Sequence, residues 1–110
     1  MLKIKVSSDF SKTPGGRLKI EGPYSGEEFR SELLKPKYIQ AIKNNQKLII
    51  DLDDCYGFPT SFIEEAFGGL VRELKDKNIL KNMDIICQDE PGLIEDIKKY
   101  VNNIKLKGKM

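Results

Sequence analysis

The sequence predicts an α/β domain, with a mixed sheet of about four strands, central parallel strands and three main helices. Three observations carry that prediction. Residues 47–52 and 83–87 are short apolar runs. A continuous apolar run of this length suits a strand covered on both faces, as central parallel strands are. After each run, apolar residues recur at three- and four-residue spacing, the signature of a helix with one buried face. Strand and helix therefore alternate, which predicts parallel pairing through right-handed crossovers.

In chain order, Leu2 to Val6 alternates apolar residues with lysine. That is a half-exposed strand, and the outward lysines suit a sheet edge. Residues 7–16 are polar and end in Pro14-Gly15-Gly16, a loop. Arg17 to Glu21 repeats the alternation through Leu18 and Ile20, so it is expected to pair with the first strand as a long-looped hairpin. Ser25 precedes Glu27 and Glu28, giving an acidic first turn and a Ser25–Glu28 capping box. Phe29, Leu33, Leu34, Ile39 and Ile42 supply the apolar face of the first helix. Pro36 is expected to end or bend it near Leu34 or Lys35, with a second piece over 36–43.

Residues 48–74 hold the central strand and its covering helix. Asp51, Asp53 and Asp54 end the strand, because several carboxylates cannot cheaply be buried together. Gly57 and Pro59 mark a turn. Ser61 and Glu64 have capping-box spacing, and Ile63, Ala66, Phe67, Leu70, Val71 and Leu74 form one broad apolar face. A helix over 61–77 would be roughly 25 Å long. A six-residue strand is about 20 Å long, so the two elements match. Ile79 and Leu80 are expected to tuck inward before the second apolar strand. Asp89, Pro91 and Gly92 begin the third helix, with Leu93, Ile94, Ile97, Tyr100, Val101 and Ile104 inward. Lysines crowd its end, and the final LKGKM is expected to fray.

Composition narrows the function. The chain has 110 residues, which predicts a single domain, 1–110. Hydrophobic content of 39% and charged content of 33% suit a soluble globular protein. No run of apolar residues is long enough for a membrane span, and the first ten residues lack a signal-peptide core, so a cytoplasmic address is expected. A formal net charge of +2 gives no argument for nucleic acid. With no histidine, Ser–His and Cys–His nucleophile pairs are excluded. Cys55 and Cys87 make no zinc site by spacing and are expected to be reduced structural thiols. No cofactor and no resident metal are implied.

The segments LIIDLDD…SFIEEAFGGLVREL, PGGR (Pro14 to Arg17) and GPYSGEEFR (Gly22 to Arg30) carry a resemblance. Over about Pro14 to Leu74 the chain resembles the STAS-like domains of bacteria, which in turn look like the anti-sigma-factor antagonists. The resemblance implies a small STAS-like α/β sandwich. It also implies a non-enzymatic regulatory module that binds a protein partner, such as a histidine-kinase-like ATPase or an anti-sigma-type kinase. In the antagonists a serine or threonine at the start of the second helix is phosphorylated. Thr60 and Ser61 fall at the matching place, with Pro59 and Phe62 where the antagonist pattern has aspartate and glycine.

Several residues are candidates on chemical grounds. Thr60 and Ser61 are expected helix caps, and a helix start accommodates phosphate through its free N–H groups and dipole. Phe62 lies just beside the inner stripe, so partial exposure would let it anchor a partner. Arg17 is expected to share a surface with GPYSG. Asp51, Asp53 and Asp54 offer an alternative, since ligands bind at the carboxyl ends of parallel strands. Their oxygens could serve a small enzyme or hold magnesium. An accessory subunit of a bacterial defence or toxin system is a third reading. Gly15 and Gly16 lack the phosphate-loop pattern. Gly68 and Gly69 mark either close packing of the helix or close approach of a partner.

Overall fold

A computed structural model describes residues 2–106. The expected fraying of residues 107–110, including Lys107 and Lys109, lies outside the described residues. Strands β1 (Lys3–Lys5), β2 (Leu48–Asp51) and β3 (Met83–Ile86) form one sheet in that order, and both pairings are parallel. The centre is β2 alone, and β3 is an edge.

The expected mixed sheet of four strands is therefore corrected to three parallel strands among the described residues. Arg17 to Glu21 forms no hairpin with β1; Lys19–Glu21 is a 3-10 turn. Local carboxylates explain the difference. Glu21 Oε1 accepts from the N–H groups of Arg17 (2.9 Å) and Leu18 (3.0 Å), and Glu27 Oε1 accepts from Lys19 N–H (2.9 Å). Those are the donors a strand would need for its ladder. The first strand is also shorter than its alternation suggests. After Lys5 the chain turns into a single helical turn, α1 (Val6–Asp9), and the Asp9 carboxylate takes the Lys5 N–H at 2.8 Å.

Helix α2 runs over residues 26–43 as Gly26–Phe29, a π-turn at Arg30–Leu34, and Lys35–Lys43. Ser25 caps it, accepting from Glu28 N–H at 3.0 Å. The Glu28 carboxylate closes on Tyr24 N–H (3.1 Å) and so forms a bridge one residue beyond the expected box. Pro36 does not end the helix. The π-turn just upstream widens the ladder where proline can make no hydrogen bond, so the chain passes through it. Helix α3 spans residues 60–74 with a second π-turn, Glu64–Gly68, and stops at Lys75 in the left-handed conformation (φ 55°). Helix α4 is Gly92–Asn103.

Both crossovers step the same way across the sheet, so right-handed connections place α2 and α3 on one face. The packing agrees. Helix α3 lies between α2 and α4, and the row Ile4–Ile50–Ile85 faces them with Ile4 and Ile50 fully buried. Leu48, Phe67, Leu70, Val71, Ile79, Ile97 and Val101 are among the residues that join Ile4 and Ile50 in the core, with Leu80 partly buried against it. The neighbouring rows, Lys3–Ile49–Asp84 and Lys5–Asp51–Ile86, face the other way.

Candidate functional site

The start of α3 is built around Pro59. Its carbonyl accepts from the N–H groups of Phe62 (3.0 Å) and Ile63 (3.2 Å), so Pro59 is the capping residue and no side chain caps the helix. Thr60 is the exposed first residue. Ser61 is half-buried, and its hydroxyl has no hydrogen bond among the described residues. The expected capping role of Thr60 and Ser61 is thereby corrected. The helix begins ahead of Ser61, and Glu64, which would complete the box, bonds to arginines.

Phe62 is 1% exposed, which corrects its expected role as an exposed anchor. The ring lies 5.7 Å from Phe29, 5.7 Å from Phe58 and 6.2 Å from Phe10, inside an aromatic cluster. The apolar arc of α3 is wider than its sequence stripe because α2 flanks it as well as the sheet. Gly26 makes that approach possible: a Cβ there would sit 2.6 Å from the Phe62 carbonyl oxygen. Two aromatic residues of the flanking loops are exposed, Tyr24 (42%) and Tyr56 (84%). Tyr24 stacks edge-on against Phe10 at 5.5 Å, and its φ of 60° is unusual for a bulky residue. Sequence periodicity missed both tyrosines because they occupy Gly/Pro loops.

Arg17 joins the two loop segments to α3. Gly15 N–H donates to Tyr24 O (2.7 Å), Gly26 N–H to Gly16 O (2.9 Å) and Glu27 N–H to Arg17 O (3.0 Å). The Arg17 guanidinium donates to Glu64 and, at 3.2 Å, to Glu65. Arg72 donates to Glu64 at 2.8 Å. Arg30 donates to the Glu65 carboxylate (2.7 Å), the Glu65 carbonyl (2.6 Å) and Glu73 (3.1 Å), and Lys35 also pairs with Glu73. Arg72 first, and then Arg17, hold the Glu64 carboxyl below its ordinary value. Gly69 leaves space for Arg30, since a Cβ there would collide with the guanidinium. A Cβ at Gly68 would meet Glu64 Oε2 at 2.5 Å and Ile104 at 3.2 Å. Both helix glycines thus serve packing within the chain.

The aspartates gather where β1 and β2 end. Lys5 Nζ lies 3.3 Å from Asp51 and 2.9 Å from Asp54. Asp51 also accepts from Asp53 N–H, Asp53 from Asp89 N–H and Asp89 from Asp54 N–H, each at 2.9 Å. The hydrogen bond to Lys5 lowers the Asp54 pKa, and that to Asp54 raises the Lys5 pKa. These carboxylates fold the loop. Among the described residues, no three or more acidic, cysteine or histidine groups converge on a metal position. Cys55 and Cys87 are both free thiols, and burial pushes Cys55 up to about 11.

The segments that fix this site are those that carry the sequence resemblance. No helix is long and apolar enough to cross a membrane, among the described residues. No curated protein and no solved structure matches the chain. Residues 25–93, more than half of the length, match the family described as a STAS-like domain of unknown function, and the chain belongs to that family.

Proposed function

We propose that this chain is a non-enzymatic regulatory module that docks a protein partner at the start of α3, under control of phosphorylation at Ser61 or Thr60. The observation that carries the reading is the Ser61 hydroxyl. It is half-buried at a helix start, makes no capping hydrogen bond among the described residues, and stands next to exposed Thr60. A phosphate there meets the positive end of the helix dipole and adds nearly two negative charges beside apolar surface. Tyr56 takes the anchor role that Phe62 cannot fill. The partner class is a cytoplasmic histidine-kinase-like ATPase or an anti-sigma-type kinase, as in the antagonists that the sequence resembles. The lack of histidine and the commitment of the aspartates to Lys5 and loop amides weigh against the enzyme and metal alternatives.

The test uses purified, tagged protein as bait in native cytoplasm, with Ser61→Asp and Tyr56→Ala in parallel. Wild type is expected to retain an ATPase that both variants lose, while circular dichroism shows all three folded. Equal retention of the same proteins by all three overturns the reading.

A further inference from the structure

The three helices share one face of the sheet and none of them covers the opposite face, where Asp51 is nevertheless buried beneath Lys5. A parallel sheet normally has both faces covered. The open face shows the rows Lys3–Ile49–Asp84 and Lys5–Asp51–Ile86. Lys3 and Asp84 are exposed; Ile49 and Ile86 are half-buried and stand apart from the hydrophobic core.

We infer that this face is a self-association surface, and that its occupant is a second copy of this chain. The charge pattern selects that occupant. Lys3 and Asp84 stand in one register row, on opposite edge strands, with Ile49 between them. A two-fold axis along β2 lays β1 of one copy over β3 of the other. It sets Lys3 against the other copy's Asp84, and Asp84 against the other copy's Lys3. Ile49 meets its own counterpart on the axis, so the row is self-complementary as a two-fold interface requires. In the next row Lys5 faces Ile86. Asp51 comes onto the axis opposite the other copy's Asp51, a like-charge approach that Lys5 of each chain, 3.3 Å from its own Asp51, offsets and that keeps the association weak. Asp84 is free to take the new partner, because its own contact with Lys47 is long (3.6 Å) and both side chains are 58% exposed. Two such sheets stack about 10 Å apart.

The size of the face sets the strength. Three strands of about four residues give a patch of roughly 14 by 13 Å. A stable interface needs about 800 Å² per partner. The dimer is therefore weak and salt-sensitive, forming toward millimolar concentration.

Sedimentation equilibrium and amide spectra between about 0.05 and 1 mM test it. With concentration, the amides of Lys3, Ile49, Asp84 and Ile86 should shift together, and added salt should reverse the shifts. Lys3→Asp and Asp84→Lys should each weaken association at least about threefold, a modest loss of cross-interface charge pairing. The double variant should return to within about twofold of wild type, because it restores both pairs in swapped order. Spectra that do not change up to the highest concentration, or a double variant no better than either single one, overturn the inference.

Discussion

Two clusters of charge hold this molecule's loops, and they work differently. In the first, arginines reach across three segments: Arg17 from the amino-terminal loop, Arg30 from α2 and Arg72 within α3 all end on Glu64, Glu65 or Glu73. In the second, Lys5 alone faces Asp51 and Asp54. The side chains of Arg30 and Glu65 are 13% and 12% exposed, whereas those of Lys5 and Asp54 are 34% and 66% exposed, with only Asp51, at 12%, tucked beneath them. A fork of several donors in a site cleared by glycine fixes geometry; a mobile ammonium in water mainly balances charge.

Mutation separates the two clusters. The largest effect is expected for Arg30→Ala, which removes the shortest contact of the Glu65 carboxylate and the side-chain donor to its carbonyl at a largely buried site, leaving the longer contacts from Arg17 and Arg72. Chemical denaturation should show a loss of about 3 kcal/mol, and Arg30→Lys should recover only part of it. A loss no greater than that of Lys5→Met would erase the distinction between the clusters.

Gly69→Ala comes next. In an ordinary helix the change gains up to about 1 kcal/mol. Here the added Cβ displaces the Arg30 guanidinium, so thermal melting should instead report a net loss of about 1 kcal/mol. A stabilised variant would mean that Arg30 moves aside freely.

Acid acts on the arginine cluster through Glu64. Glu64 has a folded pKa lowered mainly by Arg72 and then by Arg17, so it binds fewer protons folded than unfolded. Its contribution is full above the ordinary glutamate value of about 4.3, and is lost as pH falls through the depressed value. The stability gap between wild type and Glu64→Gln should accordingly be wide near neutrality and close in acid. Urea titrations at several pH values measure it, and a constant gap would refute the linkage.

Lys5→Met should cost less stability than Arg30→Ala by thermal melting, because Asp54 is exposed and only Asp51, 12% exposed, loses an ammonium at a buried site. The smallest signal is chemical. The Cys55 thiol donates to Ser11 O at 3.6 Å and stays protonated until pH approaches about 11. A maleimide should therefore label it slowly at neutral pH. Rapid labelling would show that the loop between β2 and α3 opens.

The strands β2 and β3 and helices α3 and α4 were legible because apolar spacing alone determines them. What escaped the sequence was decided by side chains acting on nearby backbone. Leu18 and Ile20 alternate as a strand would, but the Glu21 carboxylate takes the amides of Arg17 and Leu18. Ser61 and Glu64 are spaced as a capping box, but the Pro59 carbonyl starts the helix and Glu64 turns to arginine. Pro36 marks a helix end by rule, yet the π-turn over Arg30–Leu34 carries α2 past it. At the candidate site, the sequence placed a helix start at Thr60 and Ser61, where α3 begins, but not the burial of Phe62, which depends on the approach of α2 at Gly26, far away in the chain.

The Asp9 carboxylate on the Lys5 amide has a consequence for how the sheet can grow. An edge strand with free amides is a template onto which stray chains can add. Here the chain occupies the outward Lys5 amide with its own next helical turn. That side of the sheet is closed to templated extension soon after it begins.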